Sequence, residues 1–235
     1  MKKCEKMNEI LEQQKKAYSE TCTIYPEHLL DIERARQYIG IGNKILDVGC
    51  SDGQVSIMLK NGKNTVYGID VALKAVSKAI ERGIIAKVAT ADNIPFEDGR
   101  FDVIFCSHVI EHIFDTQKTL KEFNRVLKKD GKVIIITENL NSFKERILFL
   151  FGKTPTVMQD PNHVKFFNRK SITESLEQAG FKITNIEGSR FGFPIPRHCF
   201  FVREFDFLFP TWSKDKMIVV AKKNPRTGYS TNSQK

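Results

Sequence analysis

Ile45-Leu46-Asp47-Val48-Gly49-Cys50-Ser51-Asp52-Gly53 is the stretch of sequence that decides the fold. An apolar run leads into small residues, and apolar residues then recur at helical spacing as Val55, Ile57, Met58 and Leu59. This pattern predicts a strand, a tight turn and a helix in succession. Gly49 and Gly53 would let the backbone of the turn approach a ligand closely, and the helix start supplies free N–H groups. The segment therefore indicates a ligand-binding turn, although such turns also serve simply to join a strand to a helix.

Short apolar runs alternate with amphipathic stretches on both sides of this segment. Five runs have the length and composition of strands, and they span residues 44–48, 65–69, 86–89, 101–106 and 132–137. Because helical stretches separate these strands, the pattern predicts an α/β protein with a parallel sheet. Two further strands are expected at 182–186 and 217–221.

Two of the intervening helices carry recognisable start and stop signals. One begins at Asp115 or Thr116 and ends before Gly131, and a later one, which opens at Asn168 or Ser171, ends at Gly180. Both helices place apolar residues on one face, which is typical of helices that pack on a sheet.

The chain divides into three parts by composition and pattern. We expect an N-terminal helical cap over residues 1–43, one α/β domain over 44–223, and a polar, disordered tail over 224–235. Within the domain, 138–167 is too long for an ordinary connection and 190–213 is crowded with Phe and Pro. We therefore expect these two stretches to form insertions or lids over the carboxyl edge of the sheet, where open α/β folds bind ligands.

Composition narrows the functional class only in part. The net charge of +9 is compatible with nucleic acid or an acidic partner, but the basic residues are dispersed and form no stripe among aromatics, so a nucleic-acid partner is disfavoured. The five cysteines are scattered and contain no Cys-x-x-Cys pair, which argues against a disulfide framework or a thiolate zinc site. No secretion signal or membrane-spanning run is visible. These features predict a cytoplasmic protein.

Two acidic residues lie close to the predicted turn. Asp70 ends the run Tyr67-Gly68-Ile69-Asp70 and follows Gly49 by about 20 residues, a separation at which a carboxylate in such folds meets a ribose diol. Asp47 stands within the turn segment, where its charge would repel a pyrophosphate. A ligand with a cationic part therefore fits better than a dinucleotide, and S-adenosylmethionine carries an ammonium and a sulfonium.

Three consecutive motifs resemble those of class I S-adenosylmethionine-dependent methyltransferases. They are LDVGCSDG, YGID and ATADNIPFEDGRFDVIFCSHVIEHI, and they cover roughly residues 44–137. The resemblance implies a Rossmann-like, seven-stranded, mostly parallel sheet flanked by helices, with the last strand antiparallel. It also implies S-adenosyl-L-methionine as the cofactor and methyl transfer as the reaction.

The same resemblance implies a set of cofactor-binding residues. The methionine part of the cofactor is expected beside the turn, the ribose beside Asp70, and the adenine beside Asp92 and Asn93, with Ser107 and His108 beneath the cofactor. The full expected set is Asp47, Gly49, Cys50, Ser51, Gly53, Asp70, Val71, Asp92, Asn93, Ile94, Ser107 and His108. Ser51 departs from the pattern because the family usually has glycine there. Asp92 has a plainer reading as a turn-forming residue.

The later part of the chain is similar to two groups of relatives. The stretches NLNSFKERILFLFGKTP and NHVKFF resemble those of MetW-like proteins and of small methyltransferases linked to glycan or exopolysaccharide assembly. Because these motifs are less specific, the similarity informs the subfamily and not the substrate. The leading hypothesis is an O- or N-methyltransferase that acts on a small-molecule or glycan/lipid-linked acceptor. A non-catalytic, MetW-like regulatory protein that binds the cofactor remains the alternative. A dinucleotide oxidoreductase is disfavoured because the turn lacks the Gly-x-Gly-x-x-Gly spacing.

Histidines are the candidate general bases for an oxygen or nitrogen acceptor. His112 follows the fourth strand and His163 lies among aromatics in the insertion, and we expect these two to be catalytic. The alternative is a structural role: His112 would be a helix-start residue, and His163 would anchor the loop. Glu111-His112 also resembles part of the metal site of quinone O-methyltransferases, but His108 stands where that pattern has another carboxylate. The sequence therefore predicts no metal site.

Overall fold

A computed structural model describes residues 26–61, 63–189, 192–193, 200–201 and 209–224. The predicted tail beyond residue 224, most of the predicted cap before residue 26 and most of the Phe-rich segment 190–213 lie outside the described residues. No helix among the described residues is long and apolar enough to cross a membrane.

Nine strands and six α-helices alternate along the described chain. The strands are β1 Lys44–Val48, β2 Thr65–Asp70, β3 Ile85–Val88, β4 Phe101–Ser107, β5 Leu127–Glu138, β6 Phe181–Ser189, β7 Gly192–Phe193, β8 Phe200–Phe201 and β9 Lys216–Lys223. The helices are α1 Pro26–Arg36, α2 Gln54–Leu59, α3 Leu73–Glu81, α4 Thr116–Val126, α5 Phe143–Leu150 and α6 Arg169–Gln178. Short 3₁₀ turns occupy Ile110–His112, Thr156–Met158 and Thr211–Ser213.

Seven of the strands form one sheet in the order β3-β2-β1-β4-β5-β9-β6. The pairs from β3 to β5 are parallel, and β9 runs antiparallel to both β5 and β6. The Rossmann-like, seven-stranded sheet with an antiparallel last strand is therefore confirmed. Because the chain order reverses between β1 and β4, the carboxyl ends of these strands border the crevice where such folds bind ligands.

The central strands are apolar on both faces because helices cover the sheet on both sides. In β1, Leu46 and Val48 belong to one buried cluster and Ile45 to the other. In β4, Ile104 and Phe105 divide in the same way, as the two-residue period of a strand requires. This two-sided core fixes the strand tips that carry the candidate site.

Several element boundaries follow the predictions, and one differs. Asp115 caps α4 by accepting a hydrogen bond from the Lys118 N–H at 2.9 Å, and the insertion 138–167 contains a helix, α5. However, α4 ends at Val126 and not near Gly131, because β5 already begins at Leu127, which pairs with Phe101 ahead of a register shift in β4. A helix end and a strand start both tolerate lysines, so the sequence pattern did not separate them.

Candidate functional site

The turn after β1 can be made only with glycine at its first position. Gly49 has φ of 75°, and a Cβ at this residue would lie 2.3 Å from Cγ2 of Val109. Its N–H and that of Cys50 both donate to the Ile69 carbonyl, at 2.8 and 3.0 Å. The β1 turn is therefore held against the end of β2, where Asp70 follows.

Other residues of the turn contribute in different ways. Ser51 has φ of 49°, a left-handed conformation that explains why glycine is usual at this position in the family. The Cys50 side chain is buried, and its Sγ would lie 2.6 Å from a Cβ placed on Gly68, so Cys50 faces the sheet and can offer a ligand only its backbone. The space beside the turn is accordingly bounded by backbone, as a close-fitting ligand requires.

Asp70 lies where the sequence predicts it, at the carboxyl end of β2. Its two carboxylate oxygens accept hydrogen bonds from the backbone N–H groups of Ser51 and Ala72, at 3.0 and 2.9 Å. Burial raises the pKa of Asp70, and these backbone hydrogen bonds oppose that rise. A carboxylate has about four acceptor positions, so acceptor capacity remains for a ribose hydroxyl.

Asp47 lies in β1, within the predicted strand 44–48, which corrects only its expected place inside the turn. Strand pairing continues through Val48 on both sides, and the Asp47 carboxylate is only 2% exposed. It accepts a hydrogen bond from Ser56 Oγ at 2.5 Å, and burial raises its pKa to about 7. In this arrangement Asp47 supports the turn from behind rather than lining its surface.

The segment expected to meet the adenine forms a turn after β3. Asp92 is paired with Lys118 of α4, with 3.0 Å between Oδ2 and Nζ. Burial favours a higher pKa for Asp92, but hydrogen bonds from Thr90 and Lys118 outweigh it and lower the pKa. Ile94 is buried, and its N–H donates to Glu122 at 2.9 Å. These contacts fix the turn, with Asn93 exposed between Asp92 and Ile94.

His108 directly follows β4, and both its backbone conformation and its hydrogen bonding are unusual. Its φ is 53°, its Nδ1 lies 3.5 Å from Glu111, and its ring stacks on His28 of α1 with 4.2 Å between centroids. Nε2 of His108 is buried and finds no hydrogen-bond partner among the described residues. A buried polar atom without a partner is costly, and strain of this kind collects at functional sites. His108 is thus poised to bond a ligand beside Ser107.

His112 and His163, predicted from separate parts of the sequence, lie together. Their ring centroids are 4.8 Å apart, and each Nδ1 contacts a backbone carbonyl, His112 that of Asn162 at 3.0 Å and His163 that of Val157 at 2.8 Å. The 3₁₀ turn after β4 and the insertion loop meet at this point. The alternative structural role of these histidines is supported in part, because both rings also anchor the loop.

The structure adds two carboxylates to this pair that sequence reasoning did not assign. Glu111 is 2% exposed and accepts a hydrogen bond from Thr137 Oγ1 at 3.2 Å. Glu138, at the end of β5, lies 3.8 Å from His163 and pairs with Lys216. For Glu138 the signal in the sequence was its position directly after a predicted strand. For Glu111 the signals were its position near a predicted strand and the resemblance of Glu111-His112 to part of a metal site.

A second cleft of about 520 Å³ opens beyond β5. Trp212 is 49% exposed there, and the Arg146 guanidinium lies over its ring at 5.0 Å. Other lining residues include amides and cations: Asn139, Asn141, Asn168, Arg169 and Lys170. The cleft begins at Asn139, the residue that follows Glu138 in the sequence.

These features fit S-adenosylmethionine. Three features lie at one edge of the sheet: the backbone turn at Gly49, the Asp70 carboxylate with acceptor capacity to spare, and a His108 nitrogen that has no partner among the described residues. The neighbouring carboxylates suit a ligand with cationic groups.

Comparisons with known proteins agree with this geometry. A family model described as "Methyltransferase domain" matches residues 23–186. An uncharacterised protein of Methanocaldococcus jannaschii is 32% identical over 141 residues, which cover 59% of this chain and 55% of the relative. A protein of Mycolicibacterium smegmatis, named "Probable S-adenosylmethionine-dependent methyltransferase", is 28% identical over 149 residues, which cover 63% of this chain and 55% of the relative. The chain thus spans about half the length of these relatives.

Solved structures share the fold. A SAM-dependent methyltransferase of Thermotoga maritima superposes with a TM-score of 0.65 at 19% identity, covering 84% of this chain and 90% of the other.

Proposed function

This chain belongs to the class I S-adenosylmethionine-dependent methyltransferases, and on that premise we propose that it methylates an oxygen or nitrogen of a small-molecule or glycan/lipid-linked acceptor. One observation carries the proposal. Asp70, whose carboxylate accepts hydrogen bonds from two backbone N–H groups, and the pair His112 and His163 lie at the same edge of the sheet.

The cofactor is assigned to the crevice between the tips of β1, β2 and β4. Gly49, Ser51, Gly53 and the backbone of Cys50 would surround the methionine part, with Asp47 supporting the turn. Asp70 would accept the ribose hydroxyls beside Val71. The adenine would lie against Asp92, Asn93 and Ile94, and Ser107 and His108 would close the cofactor site from below.

The chemistry of the cofactor is simple. When bound, it supplies a methyl group on a positively charged sulfur, which a nucleophile displaces in line. The protein therefore has to hold the acceptor in line, exclude water and remove a proton, and the first two of these can account for much of the acceleration. His112 and His163 are the groups proposed to activate the acceptor, since imidazole titrates near neutral pH.

The cleft beside Trp212 is the proposed acceptor site. An exposed indole offers a flat apolar face, and the amides and cations around it offer hydrogen bonds to hydroxyl or anionic groups. Such a lining suits a sugar ring that carries a charged or lipid-linked substituent. The position of Asn139 next to Glu138 would bring one end of such an acceptor to His163.

The test is turnover with radiolabelled S-adenosylmethionine. The purified chain is incubated with the labelled cofactor and with fractionated extract of the source cells, and the label is followed into any product. We expect label in a small-molecule or glycolipid fraction. Tight S-adenosylhomocysteine binding without labelled product in any fraction would instead favour the regulatory, MetW-like alternative.

A thermal-shift comparison tests the cofactor itself. S-adenosylhomocysteine should raise the melting temperature and NAD should not. A shift with NAD alone would contradict the assignment of the Asp70 crevice.

A further inference from the structure

Three side chains with metal-binding groups meet beside the proposed acceptor site. Glu111, His112 and His163 each offer one ligand atom, and these three atoms lie within 4.8 Å of one another. Ligands of one ion at about 2.1 Å stand roughly 3.4 Å apart in a tetrahedral arrangement, so each atom would move by less than about 1 Å to bind the same ion. Side-chain rotations of ordinary size supply such a shift.

The two histidine rings are oriented by backbone. Nδ1 of His112 contacts the Asn162 carbonyl, and Nδ1 of His163 contacts the Val157 carbonyl. A carbonyl can only accept, so each Nδ1 carries the proton, and a neutral ring then has its lone pair on Nε2. Histidines that bind metals commonly donate their other ring N–H to a carbonyl or carboxylate in this way.

The third group is a buried anion. Glu111 is only 2% exposed, its Oε2 accepts a hydrogen bond from Thr137 Oγ1 at 3.2 Å, and its Oε1 lies 3.5 Å from Nδ1 of His108. Glu138 lies 3.8 Å from His163, and Asp160 lies 3.6 Å from Nε2 of His163. A charged carboxylate with two further acidic neighbours favours a cation at this point.

The backbone keeps the three residues together. The Glu111 carbonyl accepts hydrogen bonds from the N–H groups of both Val164 and Lys165, at 2.9 and 3.0 Å. These bonds join the 3₁₀ turn that carries Glu111 and His112 to the loop that carries His163. The three residues are thus held together before an ion binds, so binding costs little conformational entropy.

We propose that Glu111, His112 and His163 bind one divalent transition-metal ion. Two imidazoles and one carboxylate suit Zn²⁺, Mn²⁺, Fe²⁺ or Co²⁺ better than Mg²⁺, which prefers oxygen ligands. Three protein ligands leave further positions for water or an acceptor oxygen.

The consequence for catalysis rests on the proposed function. A metal-bound acceptor hydroxyl loses its proton to solvent at a lower pH than a free hydroxyl does. The oxygen lone pair then forms the bond to the methyl carbon, and the pair of electrons in the sulfur–methyl bond stays on sulfur. The histidines would thereby activate the acceptor through the ion and not as bases.

The experiment is a metal titration of the untagged, full-length chain after chelator treatment. Co²⁺ binding is followed by its absorption bands, and Zn²⁺, Mn²⁺ and Mg²⁺ binding by calorimetry. We expect one equivalent of Co²⁺ or Zn²⁺ to bind at least tenfold more tightly than Mg²⁺. His112→Ala and His163→Ala should each weaken binding by about 10- to 100-fold, whereas Asp130→Asn, a control at an exposed acidic residue of β5, should bind as the wild type does.

Two results would overturn the metal proposal. One is the lack of stoichiometric Co²⁺ or Zn²⁺ binding by the wild-type chain, a measurement that does not depend on any variant folding. The other is unchanged binding by both alanine variants with native circular dichroism. S-adenosylhomocysteine is titrated separately on the metal-free chain: if it binds and metal does not, the metal site fails and the methyltransferase assignment stands, while the opposite pattern refutes the proposed function alone.

Discussion

His112 and His163 stand ring to ring, with their centroids 4.8 Å apart, although one follows β4 and the other lies in the insertion after β5. Backbone hydrogen bonds from Val164 and Lys165 to the Glu111 carbonyl produce this meeting. The insertion is therefore part of the proposed active site, because it delivers one of the two histidines. Methyl transfer would then depend on the loop as much as on the sheet.

The histidine pair yields a kinetic prediction. His112→Gln and His163→Gln should each lower the single-turnover rate of methyl transfer by about 100-fold, since activation of the acceptor typically contributes that much. S-adenosylhomocysteine affinity should stay within about twofold of wild type, because neither ring belongs to the cofactor crevice. Unchanged rates in both variants, measured by rapid quench, would remove the pair from the mechanism.

Asp70 yields a binding prediction. Asp70→Asn should weaken S-adenosylhomocysteine binding at least tenfold, because a charged acceptor of two hydroxyl protons contributes about 1.5–3 kcal/mol per hydrogen bond. The asparagine can still accept one of the two backbone N–H bonds, so the fold should persist. Calorimetry measures the change. Asp130→Asn, an exposed acidic residue in β5, is the matched control and should bind normally. Equal affinities for the two variants would contradict the ribose assignment.

Asp47 yields a pH prediction. Its pKa rises from 3.8 to about 7 in the folded chain, chiefly through burial, so folding favours the protonated carboxyl. The associated stability is fully present below about pH 4 and is lost as the pH rises through 7. Asp47→Asn cannot ionise and keeps an oxygen for Ser56.

Thermal denaturation checks this behaviour. The melting temperature of Asp47→Asn should exceed that of the wild type at pH 8, and the difference should shrink toward pH 5. A difference independent of pH would show that Asp47 does not titrate in this range.

Gly49 yields a stability prediction. Gly49→Ala should cost at least about 2 kcal/mol, since a positive φ is unfavourable for alanine and the new methyl overlaps Val109. Urea denaturation measures the loss. Adding Val109→Ala removes the overlap but not the backbone strain, so the double variant should recover part of the loss. If Gly49→Ala were as stable as the wild type, the turn would not have the conformation described here.

The fold and the cofactor crevice were largely predictable because their signals are local. The run from Ile45 to Gly53 carries its own strand, turn and helix pattern, and Asp70 follows at the separation that parallel strands impose. Where local signals were ambiguous, the sequence supported two positions: Asp47 belongs both to the predicted strand 44–48 and to the turn segment, and strand pairing on both sides holds it in β1. The boundary between α4 and β5 failed for the same reason, because pairing with Phe101 begins the strand early.

The sequence by itself determined the strand periodicity, the glycine turn and the acidic strand tip, since each depends on neighbouring residues and backbone sterics. Only the tertiary structure decided which distant side chains share a cavity. The sequence predicts His163 as a catalytic residue, but only backbone hydrogen bonds place its loop beside Glu111 and His112. The sequence likewise predicts His108 beneath the cofactor, but only packing buries its Nε2 without a partner among the described residues. Contacts of this kind join residues that are far apart in the sequence, and no local sequence pattern encodes them.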